Sequence, residues 1–125
     1  MLQIAQTGSI ILFSLVFVFH ILILFKVIPY NMVWGGRLKT NAAMYRFETI
    51  SLLLNAVFLI IVLIRSGYIN IQVNNMVLTI LCWIMAVLFL INTVGNIFSK
   101  NKWEKVIFTP LTVLLTTFSI VMAIN

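Results

Sequence analysis

Residues 4–25 read IAQTGSIILFSLVFVFHILILF, and this stretch decides the fold class. After Ser9 its only clearly polar members are Ser14 and His20. A helix of about 20 mostly apolar residues crosses the roughly 30 Å of hydrocarbon in a bilayer. Lys26 and Pro29 follow the run. Proline lacks an N–H and disfavours helix in the residue before it, so the helix is expected to stop there. Residues 1–9 hold no Lys or Arg, and no small-residue cleavage pattern follows the run. The stretch therefore reads as a retained span and not as a signal peptide.

Working outward, three further segments qualify as spans. They cover approximately residues 47–64, between Arg46 and Arg65, then 76–94, after the polar stretch 70–75, and 106–124. Asn41 is a candidate N-cap that would start the second helix near Ala42. The fourth span holds a conflict. Thr109-Pro110 reads as a helix start, yet a helix from there to Asn125 would rise only about 24 Å. The expectation is a helix from near Trp103 that bends at Pro110 and frees the carbonyl of Val106. Thr109 or Thr112 would then satisfy that carbonyl.

Composition agrees with an all-α integral membrane protein whose single 125-residue domain is a compact four-helix bundle. The chain is 63% apolar and 8% charged, against roughly half and a quarter in a soluble domain. Its net charge of +6 does not point to nucleic acid. Nucleic-acid binders gather Lys and Arg on one face of a polar domain, whereas here the basic residues lie between spanning runs. Lys26, Arg37, Lys39 and Arg46 fall in the first connection and Lys100, Lys102 and Lys105 in the third, leaving only Arg65 on the other side. Positive charge is held in the cytoplasm, so both termini are expected outside. The expected setting is a bacterial cytoplasmic (inner) membrane. Arg37, Lys39, Arg46, Lys100, Lys102 and Lys105 are the candidates for binding anionic lipid headgroups. Tyr30, Trp34, Tyr45, Tyr68 and Trp103 lie near span ends, as an aromatic belt requires.

A faint internal echo links the even-numbered spans. Phe47, Ser51, Leu54 and Asn55 match Phe108, Thr112, Leu115 and Thr116 at one constant offset. Such an echo admits two parallel helical hairpins related by an axis along the membrane normal.

Polar residues inside spans carry the functional information, because hydrocarbon makes an unpaired polar group costly. Counting along alternating helices brings His20, Glu48, Ser51, Asn55, Asn92, Asn96, Thr109, Thr112 and Thr116 to one depth, in the cytoplasmic half. The outer half reads as nearly pure Leu, Ile, Val and Phe. The cluster would form either a pocket open to the cytoplasm or hydrogen-bonding glue between helices, the commoner use of Asn, Ser and Thr in membranes. His20 is a candidate proton carrier, because imidazole titrates near neutral pH. The plainer role is a neutral histidine bonded to Asn92 or Asn96. For Glu48 the plainer role is an interfacial pair with Arg46 or Arg37.

No reaction follows from these residues. Cys82 stands alone and reads as a small hydrophobe, and nothing around His20 has metal-ligand spacing. No cofactor or metal is expected. Gly35-Gly36, followed by Arg37 and Lys39, has no P-loop spacing and reads as a turn. Small multidrug resistance transporters share the length and span count but depend on a first-span carboxylate, where this chain has only His20. Membrane-associated eicosanoid and glutathione enzymes share the architecture alone, since Arg46-Phe47-Glu48 does not reproduce their signature. The expectation is an accessory, interaction or assembly subunit, homo-oligomeric or bound to another membrane protein. A small transporter or permeation subunit comes second, and a lipid- or glutathione-dependent enzyme third.

Overall fold

A computed structural model describes residues 2–28, 40–99 and 102–125. Arg37, Lys39 and Lys100 lie outside the described residues, as do Tyr30, Trp34, Gly35 and Gly36. The described chain is all-helical. Helix α1 spans Leu2–Leu24, α2 spans Asn41–Arg65 and α3 spans Asn75–Ile97. Helix α4 opens with a π-helical turn, Glu104–Phe108, and continues as α-helix over Thr109–Ile124. All four are long and apolar enough to cross a membrane.

The helix ends follow local chemistry. Thr40, one residue before the expected Asn41, caps α2 by accepting from the Ala43 N–H at 3.1 Å. Asn74 caps α3 in the same way, accepting from the Met76 N–H at 2.8 Å. Helices α1 and α2 close with the same pair of reversed bonds. Val27 donates to Leu22 and Lys26 to Ile23, while Tyr68 donates to Leu63 and Gly67 to Ile64. This closure needs a left-handed residue. Gly67 supplies it freely at φ 84°, whereas Lys26 adopts φ 63° against the steric preference of a side chain. The Lys26 ammonium lies 5.8 Å from the Tyr45 ring centroid, which ties the end of α1 to the start of α2.

Before Pro110, where a bend is expected, the helix widens into the π-helical turn. A wider turn gives the proline ring room where it would clash with the preceding carbonyls. Thr112 Oγ1 lies 2.9 Å from the carbonyl of Phe108 and 3.2 Å from that of Thr109, not against the Val106 carbonyl.

Neighbouring helices run antiparallel. One end of the bundle carries the α1–α2 and α3–α4 connections, and the other carries the termini. Helix α1 packs chiefly on α2 and α3 chiefly on α4, with a tighter seam between α1 and α4 than between α2 and α3. A repeat of two equivalent hairpins would make those seams alike; here one is closed and the other is nearly open. Phe13, Phe58 and Phe89 meet on the bundle axis with ring centroids 5.5 to 6.0 Å apart, in tilted or edge-to-face geometry. Outward positions such as Leu15, Val18, Leu53, Ile80 and Val87 are exposed and apolar. Tyr68 and Trp103 are exposed at helix ends.

The half at the terminal end is less uniformly apolar than expected. Ser9 and Ser119 are fully buried there beside Ala5 and Ala123. A Cβ on Gly8 would sit 2.6 Å from the Phe118 ring, so the small residue lets α1 and α4 approach. Arg65 has a structural use. Its Nη2 donates to the carbonyls of Met122 at 3.3 Å and Asn125 at 2.5 Å, groups left open at the end of α4. Gln6 donates to the Arg65 carbonyl at 3.4 Å.

Candidate functional site

The polar residues gather around a cavity of about 280 Å³ in the half at the connection end, to which all four helices contribute. His20 reaches it from α1, Ser51 and Asn55 from α2, Asn92 and Asn96 from α3 and Thr112 from α4. The depth match read along the sequence places each of these on the wall because the helices alternate in direction and carry their polar residues within the same two turns.

Two interhelical joins frame the cavity. On the α1–α2 side His20 Nδ1 is hydrogen-bonded to Glu48 Oε2. Glu48 is 0% exposed and the His20 side chain 16%. The histidine thus pairs with Glu48 and not with Asn92 or Asn96, and Glu48 lies inside the bundle instead of at an interface. With Nδ1 committed, Nε2 is the imidazole nitrogen left to the cavity that the ring lines.

On the α3–α4 side Asn96 Nδ2 donates to Thr112 Oγ1 at 3.3 Å, and Thr93 Oγ1 lies 3.0 Å from the same hydroxyl. Thr93 is not among the residues that the sequence singles out. Its signal is helical spacing, since it lies one turn before Asn96 and donates to the carbonyl of Phe89 at 2.7 Å.

The remaining members are placed differently. Asn55 Nδ2 donates to the Ser51 carbonyl within α2 at 2.8 Å, and Thr116 to the Thr112 carbonyl within α4 at 2.7 Å. The Thr109 hydroxyl is buried with no partner among the described residues. Asn92 is exposed beside the cavity, and its amide makes no hydrogen bond to a described residue. Arg46, Lys102 and Lys105 are exposed at the connection end, away from the cavity wall. Cys82 is buried in the apolar core.

Aromatic packing bounds the cavity along the bundle axis. Phe58 and Phe89, two of the three central rings, line it toward the terminal end. Phe19 and Phe108 line it toward the connection end, edge to face at 5.0 Å, over a small core of Ile23 and Met44. Sideways the wall is thin. Leu54, Leu88 and Ile91 line the cavity yet are exposed on the outer surface, so it opens between α2 and α3, the adjacent pair in least contact. Among the described residues no group of three or more His, Cys, Asp or Glu could hold a metal ion. No known protein family, curated protein or solved structure matches the chain.

Proposed function

We propose that this chain is an integral membrane protein of four spans that serves as a small accessory or assembly subunit, self-associated or joined to another membrane protein. Its basic connections face the cytoplasm of a bacterial inner membrane, where Arg46, Lys102 and Lys105, with Arg37, Lys39 and Lys100, meet anionic headgroups. Both termini face outward. The positive-inside distribution and the exposed apolar girdle support this setting.

The observation that carries the accessory reading is the sideways opening between α2 and α3. A conduit needs a continuous polar route, whereas here three phenylalanine rings fill the axis above the cavity. An opening toward the membrane plane suits a protein that receives a group from a neighbour embedded in the same bilayer. A small transporter or permeation subunit is the second reading. The buried His20–Glu48 pair supports it, because ionisable residues inside spans commonly mark ion or proton routes.

Two measurements test these readings. On a Cys82→Ser background, Asn125→Cys should react with an impermeant maleimide in intact cells. Lys39→Cys and Lys102→Cys should react only after permeabilisation, and the reverse pattern would sink the orientation. Proton or solute uptake in proteoliposomes, present in wild type and lost in His20→Gln, would promote the transporter above the accessory subunit.

A further inference from the structure

We propose that the α2–α3 cleft admits a neutral amphiphile from the lipid phase, one apolar chain ending in a hydroxyl or carbonyl head that bonds within the cavity. The proposal rests on the accessory reading above and names what its sideways opening receives.

The head is identified by the wall. His20 Nε2 and the side chains of Ser51 and Asn92 make no hydrogen bond to a described residue, although all three border the cavity. Asn55 and Asn96 each commit an amide N–H to a partner and retain a carbonyl oxygen. The wall therefore offers donors and acceptors side by side, the pattern that a hydroxyl or carbonyl satisfies. Among the described residues no Lys or Arg lines the cavity, and the Glu48 carboxylate behind His20 disfavours an anionic head. A cationic head would have to displace the imidazole from a carboxylate with no exposed surface. Neutral heads alone fit without breaking a join already made.

The chain is identified by the mouth. Leu54, Leu88 and Ile91 are apolar, and they flank the opening between the polar interior and the surroundings. This polar-to-apolar gradient matches a molecule that enters head first and leaves its chain along the groove. A partner helix does not fit. With its side chains a helix is about 10–12 Å across, so even a single turn outsizes a cavity of about 280 Å³. A volume of about 280 Å³ lies just under the roughly 300–1,000 Å³ of drug-sized ligand sites. It holds a head and its first few carbons.

The test uses the full chain in phosphatidylethanolamine–phosphatidylglycerol vesicles, with diazirine-bearing hexadecanol and diazirine-bearing hexadecanoate as probes. The alcohol should label α2 and α3 around Leu54, Leu88 and Ile91, and unlabelled hexadecanol should displace it. Asn92→Leu and Ser51→Ala should each weaken labelling by about fivefold, the worth of one hydrogen bond. Leu88→Trp should block the mouth and abolish labelling, with helical content unchanged by circular dichroism. Preferential labelling by the carboxylate, or equal labelling of exposed Leu15 and Val18 on α1, would overturn the proposal.

A second arm places a photo-crosslinking amino acid at Ile91 in native membranes, with Val18 as control. A lipid-sized adduct supports the proposal, and its mass separates a glyceride of the bilayer from a free long-chain alcohol. A polypeptide adduct would overturn the amphiphile while leaving the accessory reading standing. Adducts at Ile91 no more abundant than at Val18 would overturn both.

Discussion

The two ends of the bundle are built by opposite means. At the terminal end, helices α1 and α4 close over Gly8, Ser9 and Ser119, and Arg65 reaches across to the last carbonyls of α4. Gly8 makes room there for the Phe118 ring, and the Arg65 side chain covers what the helix end leaves open. At the connection end the helices are joined by side chains, His20 to Glu48 and Asn96 to Thr112, around space that none of them fills. Small residues give tightness without selectivity. Polar joins hold helices at a distance and leave hydrogen-bonding capacity to spare. A bundle closed by Gly and Ser at both ends would have no cavity.

The contrast can be broken most forcefully at the His20–Glu48 join. Glu48→Leu leaves the imidazole N–H without its carboxylate, and breaking a buried pair costs about 3–5 kcal/mol. Unfolding in mild detergent should register that loss. The double replacement, His20→Leu with Glu48→Leu, should recover most of it. A double variant no more stable than Glu48→Leu alone would show that the pair is not what holds α1 on α2.

The terminal end predicts a smaller effect. Arg65→Met keeps the aliphatic stem and removes the donors to Met122 and Asn125. Hydrogen bonds from a charged group are worth about 1.5–3 kcal/mol, and the loss should concentrate in faster amide exchange over the last turn of α4. Uniform destabilisation of all four helices would argue against a local cap.

The smallest effect belongs to the α3–α4 join. Asn96→Leu removes one donor from Thr112, while Thr93 Oγ1 remains 3.0 Å from the same hydroxyl. Interhelical hydrogen bonds in membrane proteins average about 0.6 kcal/mol, so thermal unfolding should shift only slightly. A loss as large as that of Glu48→Leu would erase the distinction between the ionisable join and the neutral one.

Much of this architecture is legible in the amino-acid sequence. The four long apolar helices follow from apolar runs of sufficient length, and the common depth of the polar cluster follows from counting along helices that alternate in direction. What counting cannot supply is the angle of a side chain about its helix axis. Depth alone pairs His20 with Asn92 or Asn96, yet Glu48 shares that depth too and faces it. Thr93 gives no clear signal, because a lone threonine in an apolar run usually bonds its own helix, as this one also does. The roles of Gly8 and Arg65 depend on which helices become neighbours. That choice rests on packing among faces that are all apolar, so no periodic stripe announces it.

The π-helical turn before Pro110 has a consequence for rotational phase. An α-helix advances about 100° per residue, so a turn that accommodates one extra residue resets the angular bearing of everything preceding it. Thr112, Leu115 and Ser119 remain on the inward face of α4, while Trp103, just ahead of the turn, and Lys105, within it, are exposed. The turn lets one continuous helix obey two azimuths, one set by the cavity and the other by the exposed end of the bundle. Deleting a single residue there, Val106 for instance, would remove the extra residue of the wide turn. It would also swing the basic connection about a quarter of the way around the helix while leaving the cavity wall in place.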